Sequence, residues 1–357
     1  MARAELLVDR LVATGFIRPS VLWRGLQRCR PSFSHWGVGL LIGLSGLLVE
    51  PLAWLQSLLY AQRLRRVQLP DDPIVIIGHW RSGTTYLHQL LACDPVVATA
   101  RNTLTMAPQV ALLLQPWIAP LMKVWMTRVR PIDAVPWGPD DPQEDELGLA
   151  RLTFDTNMGG MAFPRDYLAN FRRHVLETST AYERQWLTFC RLTWLHDGAG
   201  KSHWLIKNSV HTARVRLVLK HFPRARFVLL RRSPVDSIRS LVQVKQRLGA
   251  LVGLQPLPDP PTQVEETATA HRELLEAFEA SRHLIPAQQL LELDYDDLIS
   301  QPLQAVEGIY THFDLTSWPV AEAPIKARID RARSYTADPV QLPPLAERRL
   351  QELVKAS

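Results

Sequence analysis

The residues best suited to chemistry lie between Gly78 and Thr85, in the string Gly78-His79-Trp80-Arg81-Ser82-Gly83-Thr84-Thr85. An apolar run, Ile74 to Ile77, precedes it, and a helical pattern through Tyr86, Leu87, Leu90 and Leu91 follows, stopping at Asp94-Pro95. Glycines at such a strand-to-helix turn free backbone N–H groups to surround an anion at the positive end of the helix. Gly78 and Gly83 have the spacing of a nucleoside-triphosphate loop, yet Thr84 stands where that loop requires Lys, and Arg81 sits inside it. No strand ends in an Asp able to hold magnesium, since Val228-Leu229-Leu230 runs into Arg231-Arg232. The pattern therefore predicts a phosphorylated ligand bound without a metal.

Positioning such a loop takes a sheet. Trp204 to Lys207 reads as a second strand, followed by a helix with Val215, Val218, Leu219 and Phe222 on one face. A third strand, Arg226 to Leu230, leads to Ser233 as N-cap, Pro234 at the first helical position and Asp236 at the acidic position of a capping box. Ser240 lies two turns above that cap. Gln255 to Thr262 reads as a loop, and a helix (265–283), a strand (289–293) and a helix (303–313) complete an alternation. The expectation is an α/β fold: a P-loop-like parallel sheet flanked by helices, with an N-terminal apolar helical segment.

Three strings together resemble the sulfotransferase superfamily: RSGTT at Arg81 to Thr85, the strand Phe227 to Leu230 followed by Arg232-Ser233-Pro234-Val235-Asp236 and Ser240, and Tyr295-Asp296-Asp297-Leu298. The resemblance runs from residue 73 to about residue 315, and GHWRSGTT with PQEDE is similar to a bacterial-type subgroup. It implies 3′-phosphoadenosine-5′-phosphosulfate as co-substrate, with no metal. Arg81, Ser82, Gly83, Thr84 and Thr85 match the loop on the 5′-phosphosulfate, Arg232 and Ser240 the pair on the 3′-phosphate, and Tyr295 the tyrosine near the adenine. Lys207 resembles the lysine placed beside the bridging oxygen.

Sulfuryl transfer needs in-line approach and cations near the charge that develops, for which Arg81 and Lys207 are the candidates. The acceptor hydroxyl must also lose a proton. Where one branch of the superfamily has a His two positions after the lysine, this chain has Ser209; where another has a Glu after the loop, it has Arg101-Asn102-Thr103. The remaining candidates for the base are Glu144, then Glu146, then His211, with His79 behind them. Acidic residues in a first helical turn also occur for dipole reasons alone, and a lone His is as often structural as catalytic.

The 357 residues, 46% hydrophobic and 21% charged, suit a large catalytic domain (71–357) with an appended helical segment (1–70). A net charge of +6 is spread along the chain rather than gathered in a stripe, so nucleic acid is not an expected partner. Cys29, Cys93 and Cys190 fit neither a zinc site nor a disulfide framework, and a reducing, cytoplasmic setting follows. Apolar pieces at Trp36–Val49 and Leu52–Gln62 flank Glu50-Pro51, and each is too short to span a bilayer. They predict a helical hairpin packed on the domain, with peripheral membrane contact as the second reading. The apolar stretch from 104 to 137, with Met106, Trp117, Met122, Trp125, Met126 and Trp137, is either core or the roof of a pocket for a small or lipid-like hydroxyl acceptor. A P-loop nucleotide kinase lacking its Lys, or an inactive nucleotide-binding or membrane-associated protein of the same fold, would share these features.

Overall fold

The apolar pieces either side of Pro51 form one helix rather than a hairpin. In the computed structural model, which describes residues 9–10, 13–126, 137–332 and 340–355, helix α1 (Pro19–Arg28) leads to α2 (Trp36–Arg66), which runs through Pro51 without a break. Proline inside a helix forfeits one backbone hydrogen bond and crowds the preceding turn, costing about 3 kcal/mol. Two things keep the helix whole here: Pro51 lies on the exposed side, and Arg18 pairs with the Glu50 carboxylate. The two pieces joined make a helix long and apolar enough to cross a membrane, over Phe33–Arg66.

Strand β1 (Ile74–Ile77) follows, then α3 (Thr84–Leu91), β2 (Val97–Thr99), α4 (Gln115–Trp125), α5 (Asp145–Leu152) and α6 (Thr180–Asp197). The second half brings β3 (His203–Lys207), α7 (Val215–His221), β4 (Arg226–Arg231), α8 (Pro234–Val252), α9 (Pro260–Arg282), β5 (Leu290–Asp294), α10 (Tyr295–Ser300) and α11 (Pro302–His312). The five strands form one parallel sheet in the order β2-β3-β1-β4-β5. Ile74 and Ile76 pack on one face with Leu205, Val228 and Leu230; Val75 and Ile77 pack on the other with Ile206, Phe227 and Leu229. Apolar residues on both faces are what a parallel sheet covered by helices on each side requires.

Two local readings change. The loop from Gln255 is shorter than its prolines suggest, because Asp259 accepts a hydrogen bond from the Thr262 N–H and Pro260 and Pro261 occupy the first turn of α9, where no N–H is needed. Strand β2, three residues at the sheet edge, is too short to show a pattern in the sequence. In the stretch from 104, Met106 and Met122 are core, and Trp137 packs partly buried against it. Trp117 faces outward. Residues 127–136 and the Trp125 side chain lie outside the described residues.

Candidate active site

β1 is the central strand, with β3 on one side and β4 on the other, so the loops leaving the C-terminal ends of all three converge. Such a switch point in an open parallel sheet leaves a crevice for ligands. The Gly78–Gly83 loop caps β1. The Gly78 N–H donates to Thr212 Oγ1 (2.8 Å), which ties this loop to the segment after β3. Ser82 Oγ donates to the His79 carbonyl (2.7 Å). Arg81 adopts φ 68°, in the left-handed region that a side chain disfavours. Arg232 donates from Nη1 to the Arg81 carbonyl (2.8 Å), and Arg81 Nε donates to Ser240 Oγ (3.0 Å), so a residue just after β4 and one on α8 hold this conformation.

The three residues expected around a nucleotide's 3′-phosphate and adenine are thereby joined to those expected at the 5′ end. Arg232 lies over the Tyr295 ring, 4.1 Å from its centroid, and Ser233 caps α8 through its bond from the Asp236 N–H. Gly83, at φ 93°, precedes α3 and presses against Tyr295: a Cβ there would meet the ring at 2.6 Å. Gly83→Ala should cost about 1–2 kcal/mol from the left-handed backbone alone, with the Tyr295 overlap added, so a drop in melting temperature accompanied by weaker nucleotide binding is the expected result. A melting temperature equal to the parent's would remove this account of the loop.

Lys207 ends β3, in register with Ile76, and is buried. Its Nζ donates to Glu144 Oε2 at 2.5 Å, and the Ser209 N–H donates to Glu144 Oε1 (3.1 Å). Glu144 is the residue before α5 but makes no side-chain cap there; its carboxylate turns to the ends of the sheet. The chain after β2 brings it in: Arg101 bridges Pro142, the Gln143 N–H donates to the Ala100 carbonyl (2.8 Å), and Gln143 Nε2 donates to Asn102 Oδ1 (3.0 Å). Glu144 thus stands beside Arg101-Asn102-Thr103, the segment that carries no acid of its own.

The other acids and imidazoles sit deeper. Glu146 accepts from the Asn157 N–H (2.7 Å) and Asn208 Nδ2 (3.0 Å); burial raises its pKa, against those bonds and the Arg214 charge. Asp145 is buried and pushed well above the usual carboxylate range by desolvation, then by Glu144 and Glu146. His211 is fully buried beside Trp186, 5.0 Å between ring centroids, and His79 is buried against His271 at 4.4 Å. The structure brings Glu144 to Lys207 and leaves Glu146, His211 and His79 buried. Among the described residues no group of His, Cys, Asp and Glu is placed to hold a metal ion.

Burial holds His211 near a pKa of about 3, against 6.5 for the free side chain, with the Arg214 charge adding to the effect. The unfolded chain therefore binds the extra proton first. Stability from this group is complete above pH 6.5 and is lost as the pH falls toward 3. Melting temperature should fall between pH 7 and pH 5, and less steeply in His211→Leu; equal slopes for the two proteins would rule His211 out as the cause.

Comparison with known proteins decides the family. Residues 73–319 match the model of the Sulfotransferase family, a match that covers most of the chain. The chain belongs to the sulfotransferase family. Two relatives, each named an omega-hydroxy-beta-dihydromenaquinone-9 sulfotransferase Stf3, from Mycobacterium bovis and Mycobacterium tuberculosis, are 25% identical over 311 residues, covering 85% of this chain and 77% of theirs. The sulfotransferase fold is shared with STF1 from Mycobacterium tuberculosis (TM-score 0.64, 18% identity, 94% of this chain and 90% of that one). It is shared equally with STF9 from Mycobacterium avium (TM-score 0.63, 17% identity, 94% of each chain). This sulfotransferase is therefore an enzyme that moves a sulfuryl group to an acceptor, and the kinase and inactive readings lapse.

Proposed function

We propose that the donor is 3′-phosphoadenosine-5′-phosphosulfate and the acceptor a hydroxyl group on a lipid-like molecule, with the chain (a 71–357 catalytic domain carrying a 1–70 helical appendage) working on the cytoplasmic side, peripheral to a membrane. The observation that carries the chemistry is the Lys207–Glu144 pair at the end of β3, next to the Gly78–Gly83 loop. The acceptor class rests on the relatives named for a menaquinone-derived alcohol.

In this reading the Ser82, Gly83, Thr84 and Thr85 backbone at the head of α3 holds the 5′-phosphosulfate, while Arg232 and Ser240 hold the 3′-phosphate and Tyr295 lies by the adenine. Arg81 faces the transferred group. Lys207 exchanges Glu144 for the oxygen that bridges phosphate and sulfur, neutralising the charge that builds there as the S–O bond breaks. That exchange leaves Glu144, still held by the Ser209 N–H, with an oxygen to take the acceptor's proton as its oxygen bonds to sulfur. Products are the sulfate ester and adenosine 3′,5′-bisphosphate.

Adenosine 3′,5′-bisphosphate should stabilise the protein without metal. At a hundred times Kd the gain is about 2.7 kcal/mol, read as a rise in melting temperature. Arg232→Ala should abolish most of it. Equal protection by ATP with magnesium and none by the bisphosphate would overturn the nucleotide assignment.

A further inference from the structure

The helix α2 is turned inside out for a soluble protein. Its inward residues are mostly small or polar, among them Gly39, Ser45, Gly46, Ala53 and Gln56. A Cβ at Gly46 would collide with the Ile17 carbonyl, so the helix lies directly on backbone there. Its large apolar residues face out: Leu40 is 64% exposed, Leu48 78%, Trp54 68% and Leu58 76%. A surface helix ordinarily turns such a stripe toward the core. A second outward apolar row lies on α4, where Trp117, Leu121 and Val124, spaced at helical intervals, are 67%, 54% and 86% exposed. The link is direct: Gln56 Oε1 accepts from the Leu112 and Leu113 N–H groups, just before α4 begins.

Charge marks the edges of this surface. From Phe33 to Gln62 the only Asp, Glu, Lys or Arg is Glu50, which Arg18 neutralises. Arg30 precedes the stretch, Arg63, Arg65 and Arg66 follow it, and all four are exposed. Exposed tryptophans at 23, 36, 54 and 117 combine an apolar body with a polar N–H, the property that enriches Trp where hydrocarbon meets water. Basic edges, tryptophans and a leucine face fit the interface of an anionic bilayer.

We propose that α2 and α4 form a monotopic seat, lying in the surface of a membrane that contains anionic lipid, without crossing it. Crossing would require α2 to leave the domain, and the contacts of its inner side forbid that. Gln56 Nε2 donates to the Pro108 carbonyl (2.9 Å), Tyr60 donates to the Leu112 carbonyl (3.0 Å), and Glu50 is held by Arg18. The seat deepens the peripheral placement proposed above and uses none of the residues assigned to transfer, so lipid binding and catalysis can fail separately.

The test uses the full chain with vesicles of phosphatidylcholine, with and without phosphatidylglycerol, read by co-sedimentation and by quenching of tryptophan emission with brominated acyl chains. The expected result is binding that strengthens with phosphatidylglycerol, weakens between about 0.1 M and 1 M salt, and falls at least about tenfold for Leu48→Glu and for Leu58→Glu. The bisphosphate-induced melting shift, measured on the same samples, should persist in both variants and show them folded. A parent protein that stays in the supernatant with anionic vesicles overturns the seat. So does parental binding by both variants, resistance of the bound protein to alkaline carbonate, which indicates crossing, or a lipid-free dimer that Leu48→Glu splits, which makes the occupant a second copy.

Discussion

Glu144→Gln is expected to lower single-turnover transfer by about 10²–10⁴ while nucleotide binding survives, because the substitution removes the proton acceptor and keeps its shape. The amide can still accept from the Ser209 N–H through its oxygen, so the segment before α5 keeps its position. What it loses is the charge shared with Lys207, so stability falls along with the rate because the ammonium is left without its partner. A capping role would produce a different pair of numbers, a stability loss of about 1 kcal/mol with turnover retained, and the absence of a cap bond from this side chain already speaks against it. Glu146→Gln should behave in the opposite way. Its two oxygens hold the Asn157 N–H and Asn208 Nδ2, so the amide, with only one accepting oxygen, should lower the melting temperature more than the rate. Transfer at the parent rate by Glu144→Gln, with His211→Leu inactive, would move the base to the imidazole.

The second large effect belongs to the cations. Arg81→Ala and Lys207→Ala should each reduce turnover by about 10²–10³, the loss typical of one removed group that stabilises developing charge. The two differ in what else they disturb. Arg81 is linked to α8 through Ser240, so its removal should also loosen nucleotide binding. Lys207 is buried against Glu144, and deleting one partner of a buried pair costs about 3–5 kcal/mol because the other charge is stranded. Lys207→Met with Glu144→Gln removes both charges and should recover most of that stability while leaving transfer as slow as in the single variants. Recovery of turnover along with stability would show that the pair is structural.

The Gly78–Thr85 loop was readable from the chain because its chemistry is local: an apolar strand, two glycines at a fixed interval and a helix pattern need only neighbouring residues. Sheet and helix alternation after residue 70 follows for the same reason, since a parallel strand buried on both faces is a continuous apolar run. The Ser233 cap and the distance from it to Ser240 are likewise local. The pairing of Lys207 with Glu144 is not, because 63 positions separate them and only the docking of residues 100–102 on 138–143 brings them together. Nor does a sequence say that Glu146, two residues on, points into the interior while Glu144 points to the crevice.

The N-terminal helices show the same division. Leucines, glycines and small polar residues between Trp36 and Gln62 established an apolar segment with one charge, Glu50. Glu50-Pro51 looked like a break because a proline and an unpaired acid are each costly inside an apolar helix; Arg18, 32 positions away, removes the second cost. Which side of α2 faces the protein was settled by tertiary contact alone. The glycines and Gln56 allow a close, hydrogen-bonded fit to the domain that the leucines cannot make, so packing takes the small side and the large apolar side is left outward.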